Sequence, residues 1–288
     1  MKCYFTRLHE YCTMVSMMAR APASVFVELS ESWSLGAMFG GAVAAGLVGA
    51  GARALGGSWV PLMVAVSFHR PVPTGVLPAG VETVHRGRTT ATTRLVLGEQ
   101  KALASAHVTW GAPERLVRTD AVEPAELPPA AEPAFGDLSP MADFRLVGGW
   151  PAGTRSGAAR GVVDAWIRPR HEWWYEAGGR RVLDPRWYLV AADVIGPALL
   201  AAGVLGPFRV ATVSLAVAVH ALTSSTWLRQ RVTARMCGDL AVGQVELVDA
   251  SGTVVATATQ HALLSPAQAT ELPVAVTGFG WGGPRPAS

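Results

Sequence analysis

The sequence predicts an α+β fold made of two tandem repeats, each a long helix wrapped by an antiparallel β-sheet. Three observations carry that prediction. The order of elements is the same on either side of a Pro/Ala/Glu-rich stretch, and like residues recur across it at a nearly constant spacing. The segments that read as helices are small or apolar around almost their whole circumference, so each must be enclosed on nearly every side. With 288 residues, half of them hydrophobic and 16% charged, the chain has ample material for a core and is not a disordered protein.

The elements follow in order. Residues 1–23 read as an N-terminal extension and residues 24–112 as the first repeat. That repeat opens with a short strand from Val25 to Leu29 and a small-residue helix from about Gly40 to Leu55. Four β-rich segments follow: WVPLMVAVSFH, GVETVHRG, TTATTRLVLG and KALASAHVTW. Residues 113–140 lack sustained periodicity and read as a linker. The second repeat, 141–267, gives FRLVGGW and GVVDAWIRP, then a helix from about Pro185 to Ala202. Asp184 supplies its N-cap and Pro185 its first position. RVATVSLAVAVHAL, WLRQRVTARM, AVGQVELVDASG and TVVATATQHALL complete it, and 268–288 form a Gly/Pro-rich tail. His69 and His220, like Gly87 and Gly238, are 151 apart, and Ala104-Ser105-Ala106 lies 152 before Ala256-Thr257-Ala258. An internal duplication is the simplest account.

Composition also excludes several function classes. The net charge is +3, but the basic residues are scattered singly, so nucleic acid is not an expected partner. Cys3, Cys12 and Cys237 form no CxxC pair, which disfavours both a disulfide framework and a structural zinc and fits a reducing, cytoplasmic setting. Leu35–Leu55 carries Arg53, and Ala192–Leu222 carries Asp193, Arg209 and His220 and is broken by Pro197, Gly206 and Pro207. No membrane insertion is expected of either. Arg7, His9 and Glu10 occupy the place where a signal peptide needs its apolar run. GxSxG, Walker A and HExxH motifs are absent.

Asp193 is the most informative residue. It is an acid within WYLVAADVIGPALLAAG, on a helical face shared with Leu189, Val190 and Leu200. Burial there raises a carboxyl pKa toward the range of a general base, and Pro197 four residues on predicts a kink beside it. The alternative is an acid at a helix bend, exposed or paired with an arginine. Thr212 and Gln260 are the next candidates. Strict alternation places Thr212 on the small, partly polar face of its strand, opposite Leu215, Val217 and Val219, and Gln260 on a face otherwise occupied by Ala256, Ala258 and Ala262. Both could hold a water beside Asp193, or be ordinary strand residues. Gly40 and Gly41 open the first helix, where free N–H groups can stabilise an oxyanion or where small residues simply allow close packing. His69, His220, Cys237 and the cluster Trp166, Trp173, Trp174 and Trp187 read as structural residues.

MFGGAVAAGLVGA, VSFHRPVPTG and VHRGRTTATTRLVLG in the first repeat, with AADVIGPAL, RVATVSLAVAVH and VVATATQHALL in the second, resemble in order the motifs of the TesB-like acyl-CoA thioesterases. The resemblance spans roughly residues 24–267 and implies a double-hotdog fold. It implies that Asp193, Thr212 and Gln260 orient and activate a hydrolytic water and that no metal or cofactor is needed. It further implies an acyl-CoA or acyl-carrier thioester as substrate, with a homodimer as the assembly. Ala42 stands at the offset of Asp193, which implies one site per chain. The sequence departs from the family pattern at Ser214-Leu215, where that pattern has Asp-His, and at Leu62 and Ala65. The alternatives are a pathway-specific or non-catalytic acyl-binding protein, and a hydratase or dehydratase, whose Asp-x-x-x-x-His pattern is missing because Ala198 lies five residues after Asp193.

Overall fold

The computed structural model describes residues 23–34, 38–128, 142–147, 161–170, 173–177, 179–202 and 208–266. The tail expected at 268–288, the last part of the linker and almost all of the N-terminal extension lie outside the described residues.

The first half runs β1 (Ala23–Leu29), α1 (Gly40–Leu55), β2 (Val60–Phe68), β3 (Gly75–Arg86), β4 (Thr90–Leu97) and β5 (Ala104–Gly111). A short β6 (Val117–Thr119) leads to β7 (Ala142–Leu146), β8 (Gly161–Pro169) and the hairpin β9 (Trp174–Ala177) and β10 (Arg180–Leu183). Helices α2 (Pro185–Ala192) and α3 (Gly196–Ala201) follow, then β11 (Phe208–Val219), β12 (Ala221–Thr223), β13 (Leu228–Cys237), β14 (Leu240–Asp249) and β15 (Val254–Pro266).

Among the described residues eleven strands form one sheet in the order β1-β3-β4-β5-β2-β11-β15-β14-β13-β8-β7. β2 and β11 lie side by side at its centre, antiparallel, with Ser214 opposite Ser67 and Ala218 opposite Met63. Outward from that seam the two halves trace the same connections. β5, β4, β3 and β1 stand on one side as β15, β14, β13 and β8 stand on the other. The residues at constant offset also make matching contacts. His69 Nε2 lies 2.9 Å from Ser105 Oγ, and His220 Nε2 lies 2.8 Å from Thr257 Oγ1.

The inward residues of every strand alternate with outward ones, as a sheet with one covered face requires. Leu95, Leu97, Ala106 and Val108 in one half and Leu215, Val217, Val232 and Leu247 in the other close over the helices. α1 is buried along most of its length because Ala and Gly let strands and a second helix approach it closely. At Gly41 a Cβ would come within 2.8 Å of the Leu189 carbonyl oxygen and the Val190 Cα, so glycine is what allows α1 to cross α2. No helix among the described residues is long and apolar enough to cross a membrane.

One expectation is corrected. The helix anticipated from Pro185 to Ala202 is two helices separated at residues 193–195. Pro197 has no N–H to offer the Asp193 carbonyl, so the chain breaks there and restarts with the proline in the first turn of α3. The start of the expected linker, residues 113–128, carries short elements of its own. β6 pairs in parallel with β12, and Thr119 Oγ1 donates to Asp249 Oδ2 at 2.5 Å. Thr223, Ser251 and the Thr253 N–H also donate to the Asp249 carboxylate, which burial raises but these bonds hold below the usual range.

Candidate active site

Asp193 is the C-cap of α2, with φ −92° and ψ 50°, and is 4% exposed. The helix break turns its side chain toward the start of α1, and every group around the carboxylate is a donor. Gly41 N–H donates to Oδ2 at 2.7 Å. Thr212 Oγ1 donates to Oδ1 at 2.9 Å, and Gln260 Nε2 donates to the same oxygen at 2.5 Å. Gln260 Nε2 also reaches Thr212 Oγ1 at 2.8 Å, closing a triangle. The three acid-site residues and the glycine helix entry singled out in the sequence therefore meet at one point.

Helix capping explains the attraction of that point. The residue before α1 is Phe39, which has no side-chain oxygen to cap the first N–H groups. Ala42 and Val43 bond back to the Phe39 carbonyl, whereas the amides of Gly40 and Gly41 face Asp193. An acid from the other half of the chain thus serves as the cap, at the positive end of the helix dipole. Burial outweighs these donors and pushes the carboxyl from 3.8 up to about 7, while the bonds from Thr212, Gly41 and Gly40 pull it down. The ring of donors favours the anion, and the lack of solvent disfavours it, so the group titrates near neutrality. The Gly41 N–H, expected at an oxyanion, is instead given to the Asp193 carboxylate.

Thr212 reaches the site for a reason that alternation did not predict. The register of β11 against β15 shifts between Thr212 and Ser214, and Val213 is the extra residue, turned outward and 36% exposed. This β-bulge rephases the strand, so Thr212 faces the helices together with Leu215 rather than opposite it. Gln260 lies on the covered face, as its alternation predicts, at 1% exposed, and its Oε1 is buried without a hydrogen-bond partner. Sequence reasoning missed Gln230. Its side chain is buried and donates to the Ala191 carbonyl, which the break after α2 leaves without a helical partner. Its in-phase position between Leu228 and Val232 was the available signal.

An apolar crevice lies at Val194, the residue after Asp193. Phe39, Phe144, Ile167, Trp187, Val190 and Val194 line it, and its free volume is about 10 Å³. A larger groove of about 500 Å³ lies on the opposite face of the sheet, over Ala216, Ala218 and Thr257, and none of Asp193, Thr212 or Gln260 reaches it. Of the aromatic cluster, Trp173 and Trp187 pack with centroids 5.8 Å apart, Arg181 lies over Trp174, and Trp166 sits opposite Arg229 on the outer face. Cys237 is an exposed free thiol. Among the described residues no three His, Cys, Asp or Glu side chains gather as a metal site.

Comparison with known proteins adds a family to this geometry. The family model described as the acyl-CoA thioesterase C-terminal domain matches residues 118–264, and the one for the N-terminal domain matches residues 29–111. Among solved structures, a candidate thioesterase II from Thermobifida fusca is 20% identical with a TM-score of 0.66, covering 87% of this chain and 97% of that one. A protein of unknown function with a hot dog fold from Alicyclobacillus acidocaldarius is 18% identical, with a TM-score of 0.65 and coverages of 85% and 94%. The tesB protein of Mycobacterium avium subs. paratuberculosis is 20% identical, with a TM-score of 0.62 and coverages of 88% and 99%. No curated protein matches the sequence.

Proposed function

Because the chain belongs to the acyl-CoA thioesterase family and its chemistry is hydrolysis of an acyl-CoA thioester, we propose that Asp193 is the general base of that reaction, with Thr212 and Gln260 as its partners. The two halves are tandem hotdog units in this reading, and they share one active site. The observation that carries it is the convergence of Thr212, Gln260 and the Gly41 N–H on a single buried carboxylate.

A water beside the cluster donates one proton to Asp193 and finds a second acceptor in the unpartnered Oε1 of Gln260. As Asp193 takes the proton, the water oxygen attacks the thioester carbonyl carbon, and negative charge moves from the carboxylate to the carbonyl oxygen. The N-terminus of α1 then serves both anions in turn, because a neutral Asp193 competes less well for the Gly41 N–H just as the oxyanion forms beside it. Collapse of the tetrahedral intermediate breaks the C–S bond. Asp193 returns its proton to the departing thiolate, leaving free acid and thiol. The thioester is activated enough for this set to act without an added group. The acyl chain enters the crevice between α2 and β8, where each buried methylene contributes about 0.8 kcal/mol. The crevice is nearly closed, so the side chains around Phe144 and Trp187 part to admit the chain.

The test is thiol release from acyl-CoA thioesters of increasing chain length, with wild type and Asp193→Asn side by side. Loss of the base is expected to slow turnover at least about a hundredfold. An Asp193→Asn protein with wild-type turnover would remove Asp193 from the mechanism, and failure of wild type with every thioester would leave an acyl-binding protein.

A further inference from the structure

The register breaks at the same place in both halves. β2 and β5 shift between Pro61 and Met63, and β11 and β15 shift between Thr212 and Ser214. At the offset of 151, Pro61 corresponds to Thr212 and Met63 to Ser214, and at 152 Thr109 corresponds to His261. The two bulges differ in what crosses them. In the first half Met63, whose thioether has no donor, stands opposite Thr109. In the second half Ser214 stands opposite His261, with Oγ and Nδ1 3.0 Å apart.

That bond joins β11 to β15 on the outer face. Its two residues lie next to the bulge on one strand and next to Gln260 on the other. On the inner face of the same two strands, Thr212 and Gln260 must arrive at one oxygen of Asp193 and at each other, within 2.5–2.9 Å. A slip of about 1 Å between the strands would take at least one of these contacts outside hydrogen-bonding range. The first-half bulge forms without a Ser–His pair, so the pair is not what creates a bulge. It occurs where the strands must be held in a fixed register for an acid, and is absent where Ala42, Pro61 and Val108 fill the corresponding positions.

We propose that Ser214 and His261 are positioning residues for the thioesterase site, clamping the β11/β15 bulge from the outer face so that Thr212 and Gln260 converge on Asp193. The proposal rests on Asp193 being the base. Neither residue touches substrate, and both act through the strands.

Ser214→Ala and His261→Leu each remove the clamp. Each is expected to lower kcat about tenfold or more with KM changed less than about twofold, and the double variant to be no slower than the worse single. The acid limb of the pH–rate profile should move upward, because a weakened Thr212 bond releases its downward pull on the Asp193 carboxyl. A purely structural pair would alter thermal stability and leave that limb in place. Ser214→Thr and His261→Asn, which keep a hydroxyl and a nitrogen or oxygen near Nδ1, should restore most of the rate. If Ser214→Ala does not fold, the comparison of His261→Leu with His261→Asn asks the same question from β15. Folded single variants with wild-type kcat and pH profile, or fully additive losses, overturn the proposal. Asp193→Asn in the same series separates the two failures. An inactive Asp193→Asn with unimpaired Ser214→Ala sinks the clamp alone, whereas an active Asp193→Asn sinks the base.

Discussion

Asp193→Asn separates what the buried acid costs the fold from what it supplies to the chemistry. Burial lifts this carboxyl from 3.8 to about 7 despite four donors around it. A carboxyl whose folded pKa lies above its unfolded value holds its proton more tightly in the native state. Between the two values the folded protein carries more protons than the unfolded chain, so stability falls as pH rises. A shift of about three units, at about 1.4 kcal/mol each, sets an upper scale of about 4 kcal/mol. That contribution is intact below about pH 4 and gone above about pH 7. Asparagine does not titrate, so denaturant unfolding of wild type and variant from pH 4 to 9 isolates it. The stability of wild type relative to Asp193→Asn should drop by several kcal/mol across that window, while the rate of thioester cleavage by wild type climbs through the same interval as the base ionises. A difference curve flat from pH 4 to 8, or a rate limb more than about two units from the stability limb, would show that the carboxyl is not held as argued.

Two further outcomes follow from the packing. Gly41→Ala puts a methyl within 2.8 Å of the α2 backbone at Leu189 and Val190, and neither is a flexible side-chain end. It should lower stability by about 1–3 kcal/mol in a denaturant titration and cut turnover with it, and a variant as stable as wild type would mean that α1 and α2 are not in this contact. Phe144→Ala opens the crevice beside Trp187. The chain-length optimum of kcat/KM should move to longer acyl groups, gaining up to about fourfold per added methylene until the space is filled, and an unchanged profile would place the acyl chain elsewhere.

Much of this arrangement was legible in the residues. The eight long strands of the two half-sheets, β2 to β5 and β11 with β13 to β15, overlap the β-rich segments read from the sequence, although β3 starts five residues earlier at Gly75, and α1 spans the expected Gly40–Leu55. Asp193 and Gln260 stood out because a polar side chain in an apolar face has few explanations, and both are buried. Thr212 was identified on the wrong face for its role. A β-bulge is a property of two strands at once, set by how β11 meets β15, and Thr212-Val213-Ser214 has no local signature such as glycine to announce it. The break at 193–195 was visible only as a kink, because Pro197 shows which bond is lost but not that Ile195 will pack against Gly243 of β14 instead of continuing the helix. The pairs β6/β12 and β9/β10 are three or four residues per strand, too short for periodicity to show.

The asymmetry between the two halves has its origin at two helix caps. α2 begins with Asp184, whose carboxylate accepts the Arg186 N–H and pairs with its guanidinium, so that helix end is already satisfied within its own half. α1 begins with Phe39 and two glycines, and its end is open. An acid must therefore come from outside, and the position equivalent to Ala42 in the other half is where it comes from. Reversing the arrangement is blocked twice over. The first half has no acid at residue 42 and a proline where Thr212 would stand, and the second half's helix start already gives its Arg186 N–H to its own Asp184. In the proposed mechanism two similar halves yield one functional centre, because one supplies the positive helix end and the other supplies the negative charge. An acid introduced at Ala42 would find no partner at α2 and would be a buried, uncompensated charge costing the fold several kcal/mol rather than a second active site.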